Sequence, residues 1–326
     1  MAGHSGSECC HASSGTQVSR RALLRWTGAI AGGVALSGML PRAIAAAEAP
    51  GEASVAAQAA GVVVRWLGGG VVEVSTADGK QIAYIDAWVW RNDGWDRFGA
   101  QKPPEYASAA GFAEYVRGRS PEAVLVMLSH DHGDHMTDFF EMLAALSAAG
   151  VNVKATGQSD LMRAGLVPRF RDAGLDPAQI VVNGGAGMNF GGRSRFGAIQ
   201  TILIPAIHST LAGYPAAGFI FDIGGVRFYA SGDTDLFGDM RLIGERYRPE
   251  VALICSGDGP FTMGPRDAAL ACQYLGVSRA FPIHYAHNAA VLGPQAGEDF
   301  RQAAAELVPG MEALVLTPGQ STTLGA

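Results

Sequence analysis

The apolar run AVLVML (123–128) and the segment that follows it, Ser129-His130-Asp131-His132-Gly133-Asp134-His135, decide how this chain is read. A short β-branched and aliphatic run is a buried strand. If the chain leaves it extended, His130, His132 and Asp134 alternate onto one side, and His135 swings across as the chain turns into the next helix. Three imidazoles and two carboxylates within six residues are costly to crowd together unless a cation binds them. A divalent metal takes neutral imidazole nitrogens and carboxylate oxygens as ligands.

Outward from this motif, β-branched runs at 62–67, 71–76 and 81–86, separated by Gly68-Gly69-Gly70 and Ala77-Asp78-Gly79, predict an antiparallel meander. Strands and helices then alternate: the strand 123–128 with a helix over 137–149, VNVKA (151–155) with a helix over 158–173, and a short strand at 180–183. A second meander follows at 198–207, 218–223 and 226–230. It leads to VALIC (251–255), a helix at 265–275, RAFPI (279–283), a helix at 297–307 and LVLT (314–317). Two such halves predict two sheets packed face to face with helices outside, an α/β architecture.

The remaining histidines sharpen the metal reading. Beyond the N-terminal leader the chain has only His130, His132, His135, His208, His284 and His287, and His208 and His284 each follow an apolar strand run. Strand ends are where a sheet can aim isolated ligands at one point. A carboxylate near 222–235 could join them, but the residues alone rank Asp233 level with Asp222 and Asp235. Neither a G-x-S-x-G elbow nor a phosphate-cradling glycine fingerprint is present.

The His130–His135 motif, His208 in IPAIHST, Asp233 in YASGDTDLFGDM and His284 in FPIHY together resemble the metallo-β-lactamase-fold hydrolases. GDTDLFGDMRLIGE (232–245), GDGPFTMGPRDAA (257–269) and PIHY (282–285) are similar to the subgroup that includes ascorbate-6-phosphate lactonase. The resemblance spans about residues 62–320 and implies a four-layer αβ/βα sandwich with two metals at one edge. It would place His130, His132 and His208 on the first metal, Asp134, His135 and His284 on the second, and Asp233 between them. The metals would be zinc first, with manganese or iron compatible. A water held between them, its pKa lowered, would attack as hydroxide, with Asp134 as ligand or proton acceptor.

Around this set, Asp86 is expected to support a ligand or form a turn. Asp258 and Thr262 are candidates for the pocket wall. His287 is either a substrate contact or, the favoured reading, an exposed loop histidine. Gly69 stands where relatives commonly carry histidine. The segment 87–108, with Trp88, Trp90, Trp95 and Phe98, either roofs the site or packs against the body.

The N-terminus reads as an address. Ser19-Arg20-Arg21 precedes a mildly apolar Gly/Ala run, Trp26 to Pro41, too short for the ~20 residues of a membrane span, and small-x-small sites follow at 43–47. This resembles a twin-arginine signal over residues 1–45, followed by an Ala/Glu/Pro/Gly linker at 46–61 and one folded domain at 62–326. The partners expected are the twin-arginine export machinery and a small-molecule substrate, and the location is periplasmic or secreted. The leader's four arginines against Glu8 carry +3, so the remainder stands at −9 where the whole chain is at −6. With 24 Lys and Arg against 44 Gly and only three lysines, no basic face exists for nucleic acid. Cys255 and Cys272, in apolar company, read as buried thiols rather than a disulfide.

The function expected is an exported dinuclear hydrolase acting on an ester, lactone or phosphodiester. The competing reading is a non-catalytic periplasmic metal-binding protein on the same fold, which Gly69 alone favours.

Overall fold

The computed structural model describes residues 61–325, so the leader and the linker through residue 60 lie outside the described residues. The first strand starts at Val62, where the β-branched run begins.

One sheet holds six strands: β1 (Val62–Gly68), β2 (Val71–Thr76), β3 (Gln81–Ile85), β4 (Ala123–Met127), β5 (Val153–Thr156) and, last in the chain, β13 (Ser321–Leu324). Their order is β13-β1-β2-β3-β4-β5, with β1 to β3 antiparallel and β3, β4 and β5 parallel. The second sheet comprises β6 (Arg193–Phe196), β7 (Ile199–Pro205), β8 (Ala217–Ile223), β9 (Val226–Ala230), β10 (Val251–Cys255), β11 (Arg279–Ile283) and β12 (Glu312–Ala313). It runs in the order β12-β11-β10-β9-β8-β7-β6 and is parallel from β9 to β12.

Period-two alternation sorts the strands' side chains into three cores. Ala83, Ile85, Leu125 and Met127 face Phe219, Phe221, Phe228 and Leu253 between the sheets. Ile82, Tyr84, Val124 and Val126 turn the other way, onto Phe112, Val116, Phe139 and Leu143 of the helices Ala109–Gly118 and Phe139–Ala148. Ile220, Tyr229, Ala252 and Ile254 pack on the helices Met240–Tyr247, Pro265–Leu275 and Ala296–Leu307. This is the four-layer αβ/βα sandwich. Strands buried on both faces read as continuous apolar runs, which is why β4 and β10 stood out in the sequence.

Some segments differ from the sequence reading. Residues 180–183 are not a strand. Pro177, with Asp176 capping the Ala178 N–H at 2.9 Å, starts a helical turn there, and only Val181 bridges to Ala155. The 158–173 helix is broken into a wide turn at Leu161–Gly165 and the helix Val167–Asp172. LVLT contributes no strand, and its place is taken by β12 and β13 on either side. Cys255 and Cys272 are free and buried, as expected.

The C-terminal ends of β3 and β4 in one sheet, and of β7, β9 and β11 in the other, open onto the same edge. Two contacts tie the sheets there: Ala217 N–H donates to Ser129 O at 3.1 Å, and His284 N–H to Gly69 O at 2.9 Å. Gly232, at φ +56°, allows this closeness, because a Cβ there would lie 2.8 Å from Ser129 Cβ. In the inter-sheet core, Phe221 stacks on Phe228 at 4.9 Å. Phe221→Ala should cost about 3–5 kcal/mol in a denaturant titration. Leu242→Ala, 59% exposed, should change stability by less than about 0.5 kcal/mol.

Candidate metal centre

The histidine motif leaves β4 extended as far as His132 (φ −70°, ψ 151°), and a helical turn, Gly133–Met136, begins next. Asp134 and His135 therefore project from a helical turn rather than from a continued strand. Asp131 points away from the other motif side chains. Its carboxylate accepts the Leu211 and Ala212 N–H groups at 2.8 Å each and so pins the loop that carries His208.

The donors converge. His208 Nε2 lies 3.3 Å from His132 Nδ1, and His130 Nε2 joins that pair, buried and without a hydrogen-bond partner. His135 Nε2 and His284 Nε2 face each other at 3.0 Å. Asp233 Oδ2 sits among them, 3.2 Å from His284, 3.3 Å from His135 and 3.6 Å from His208. Asp134 Oδ2 stands 3.4 Å from His284 Nε2 and 4.0 Å from His135 Nε2. Two imidazole nitrogens aimed at each other, an orphaned buried nitrogen and an unpartnered Asp233 Oδ1 are what a set of ligands presents around a cation. The donors fall into overlapping groups: His130, His132 and His208; His130, His135 and Asp233; Asp134, His284 and His287.

The electrostatics agree. Burial pushes His130 and His208 below the usual imidazole range, toward the neutral form that ligates. Burial also opposes ionisation of Asp134 and Asp233, but the imidazoles around them outweigh it: His284 and His287 for Asp134, and His284 and His135 for Asp233. Both carboxyls are held far below their ordinary range. At His135 burial again works against charge, yet Asp233 and Asp86 raise its pKa, so this corner of the site favours a positive charge.

Asp86 holds the cluster from behind. Fully buried at φ +58°, it accepts His135 Nδ1–H at 2.7 Å, Ser129 N–H at 2.8 Å and Ser129 Oγ–H at 2.9 Å. Ser129 Oγ in turn lies 3.0 Å from His130 Nδ1. One carboxylate thus orients rings on both sides of the motif and directs His135 Nε2 toward the other donors. Gly70 leaves room for this: a Cβ there would stand 2.7 Å from the His135 ring.

Residues 87–285 match the family model described as "Beta-lactamase superfamily domain". The chain belongs to the metallo-β-lactamase superfamily. It is 32% identical over 257 residues to a UPF0173 metal-dependent hydrolase of Pyrobaculum calidifontis, covering 78% of this chain and 97% of that one. It is 34% identical over 216 residues to a hydrolase of the same name from Archaeoglobus fulgidus, covering 63% and 84%. The solved structure of a metallo hydrolase from Ignicoccus hospitalis shares the fold, with a TM-score of 0.61 at 24% identity over 81% of this chain and 98% of that one. The protein is a metal-dependent hydrolase of this superfamily.

Within the superfamily fold, the structure brings His130, His132, Asp134, His135, His208, Asp233 and His284 together and sets the rival carboxylates aside. Asp222 pairs with Arg227 at 2.6 Å, and Asp235 is exposed. His287 is not an exposed loop histidine. It is 1% exposed, and its Nε2 lies 3.3 Å from Asp134 Oδ2. Asp258 and Thr262 shape a turn, with Asp258 N–H bonded to Met263 O, and it is Phe261 of that turn that lines the pocket. The aromatic loop divides its work. Trp95 packs on Tyr106 and Phe98 on Trp66, whereas Trp88 lines the pocket and fills the space beside Gly69.

The sequence reading missed Phe261, Asp93 and Asn288 in the pocket lining, and Asp138, which ties down the aromatic loop through the Val89 and Arg91 N–H groups and Arg91. None carried a local signal. That His287 was one of only six histidines after residue 61 was the available hint. Asp86→Ala should weaken metal binding about 10–100-fold in a chelator competition, through loss of His135 orientation. Asp222→Ala should leave metal affinity unchanged.

Proposed function

We propose that this protein is an exported two-metal hydrolase that cleaves an ester, lactone or phosphodiester bond next to an apolar group. The observation that carries the reading is the convergence of His130, His132, His208, Asp134, His135, His284 and Asp233, five of which line a pocket of about 340 Å³ that Trp88 and Phe261 also line, while His130 and His135 lie buried behind it. The nitrogen-rich donor set suits zinc, and also iron or manganese. Divalent ions bound there would supply Lewis acidity for the substrate's carbonyl or phosphoryl oxygen and lower the pKa of water.

The chain's own residues do the rest. His130, His132 and His208 form one group of donors, Asp134, His135 and His284 another, and Asp233 Oδ2 stands between them. Asp134 is the carboxylate that reaches solvent, its side chain 30% exposed against 4% for Asp233. At that position it can orient an attacking water by accepting its hydrogen bond or take up its proton. Among the described residues no serine or cysteine stands in the pocket lining to serve as nucleophile.

The rim supports an apolar substrate portion. Trp88 and Phe261 line the pocket, and Ile207 and Leu211, 54% and 76% exposed, flank His208. Large apolar side chains in a pocket wall, here Trp88 and Phe261, suit an apolar substrate group. The twin-arginine pattern at Arg20-Arg21 supports export, by a route that carries proteins already folded.

The test is metal analysis followed by turnover of aryl esters, lactones and bis-p-nitrophenyl phosphate. Activity on at least one class, lost to a chelator, restored by metal and abolished in His132→Ala, is expected. Each CH₂ added to an ester's acyl chain should raise kcat/KM about fourfold until the wall is covered, from about 0.8 kcal/mol per buried CH₂. Stoichiometric metal without turnover of any class would favour the binding-protein reading. The Arg20→Lys, Arg21→Lys double variant should remain uncleaved inside the cell, while the wild type is recovered outside it beginning near residues 45–48. Equal recovery outside would overturn export.

A further inference from the structure

His287 lies outside the seven side chains assigned above to the two ions, yet it is built into the same pocket beside Asp134 and His284. From its position we propose that His287 is an additional ligand of the second metal, its Nε2 joining Asp134, His135 and His284. The proposal rests on the two-metal reading and adds to it a donor from the loop after β11.

Spacing is the first observation. His287 Nε2 lies 3.3 Å from Asp134 Oδ2, matching the 3.4 Å from His284 Nε2 to the same oxygen and the 3.3 Å from His135 Nε2 to Asp233. A charge-assisted N–H···O bond would draw the pair to about 2.7–2.9 Å. Two donors each about 2.1 Å from one ion stand roughly 3.0–3.4 Å apart. The observed separation suits co-ligands of one ion, and the Asp134, His284 and His287 donor atoms all lie within 4.8 Å of one another.

Backbone geometry is the second. His284 and Ala286 adopt φ of +61° and +56°, a left-handed conformation that non-glycine residues rarely take. With Ala286 N–H bonded to Leu292 O at 2.7 Å, the turn returns His287 to the pocket, its ring 4.3 Å from that of His284. Strain of this kind, of order 1–3 kcal/mol per residue, persists where surrounding structure enforces it. Here two residues in the left-handed region, His284 and Ala286, accompany the delivery of two imidazoles to neighbouring positions.

Confinement is the third. The ring meets the edge of Trp88 at 6.2 Å, and a Cβ on Gly94 would press on His287 Cα and Cβ at 3.3 Å. Asn92 fixes that glycine by accepting its N–H at 2.9 Å while donating to Leu67 and Gly68 carbonyls. His287 Nδ1 is buried with no partner, so no hydrogen bond on that side explains the ring's orientation. Packing against Trp88 and Gly94 therefore aims Nε2 at Asp134 Oδ2.

The experiment compares full-length wild type with His287→Ala and His287→Gln, each loaded stepwise with Co²⁺. It follows ions bound per chain, affinity by chelator competition, the cobalt d–d spectrum and the thermal melt. The expected result is two ions in the wild type. In both variants the first ion should be kept, the second should bind at least tenfold more weakly, and its d–d bands should strengthen as coordination number falls. Two ions with unchanged affinity and spectrum in the variants would overturn the assignment while leaving the two-metal reading intact. Joint loss of both ions with a lowered melt in both variants would make His287 a structural prop and also overturn it. A wild type that binds no ion would sink both readings together.

Discussion

Everything at this edge of the molecule turns on a buried negative charge. Asp233 is 3% exposed, its Oδ1 has no partner, and its Oδ2 is surrounded by imidazole nitrogens. An ionised carboxylate out of water costs several kcal/mol unless positive charge compensates it. The surroundings are arranged to supply a place for that charge. Asp86 behind His135, the missing side chain at Gly70 and the packed turn at Gly232 all bring donors from two sheets closer than unpaired imidazoles would settle. Without a cation that charge is met only by the imidazoles around it; with one, the same nitrogens are free to act as ligands.

How much of this could be read beforehand follows the physics of each segment. The antiparallel strands β1 to β3 were legible because Val62, Val64, Val72 and Val74 alternate with turns punctuated by Gly69 and Gly79, a local signal. β4, β10 and β11 were legible because strands buried on both faces are continuous apolar runs. Residues 180–183 read as a strand on β-branched content alone, but Pro177 and the capping carboxylate of Asp176 start a helical turn there. The short helical turn that presents Asp134 and His135 was not foreseen, since the alternation expected of an extended chain was carried on to Asp134.

The site divided in the same way. His130, His132, His135, His208 and His284 announced themselves by spacing or by position at strand ends. Asp233 was indistinguishable from Asp222 and Asp235 until the family resemblance and then the structure separated them, since choosing a carboxylate depends on which one a neighbouring arginine has already taken. His287 was misjudged because a histidine in a polar loop is ordinarily exposed. Its burial comes from Trp88, Asn92 and Gly94, which lie nearly two hundred residues earlier in the chain, and no local pattern encodes that. The wall residue Phe261 was hidden for the same reason, inside a turn whose polar neighbours drew the attention.

The central claim is that one pocket grips two ions through donors drawn from both sheets. Anomalous diffraction from crystals of the metal-loaded protein, collected on either side of the metal's absorption edge, tests it most directly. The account predicts two peaks a few Å apart, one among His130, His132 and His208, the other among Asp134, His135 and His284, with Asp233 reaching both. A single peak, or ions held by other side chains while these donors point elsewhere, would contradict it.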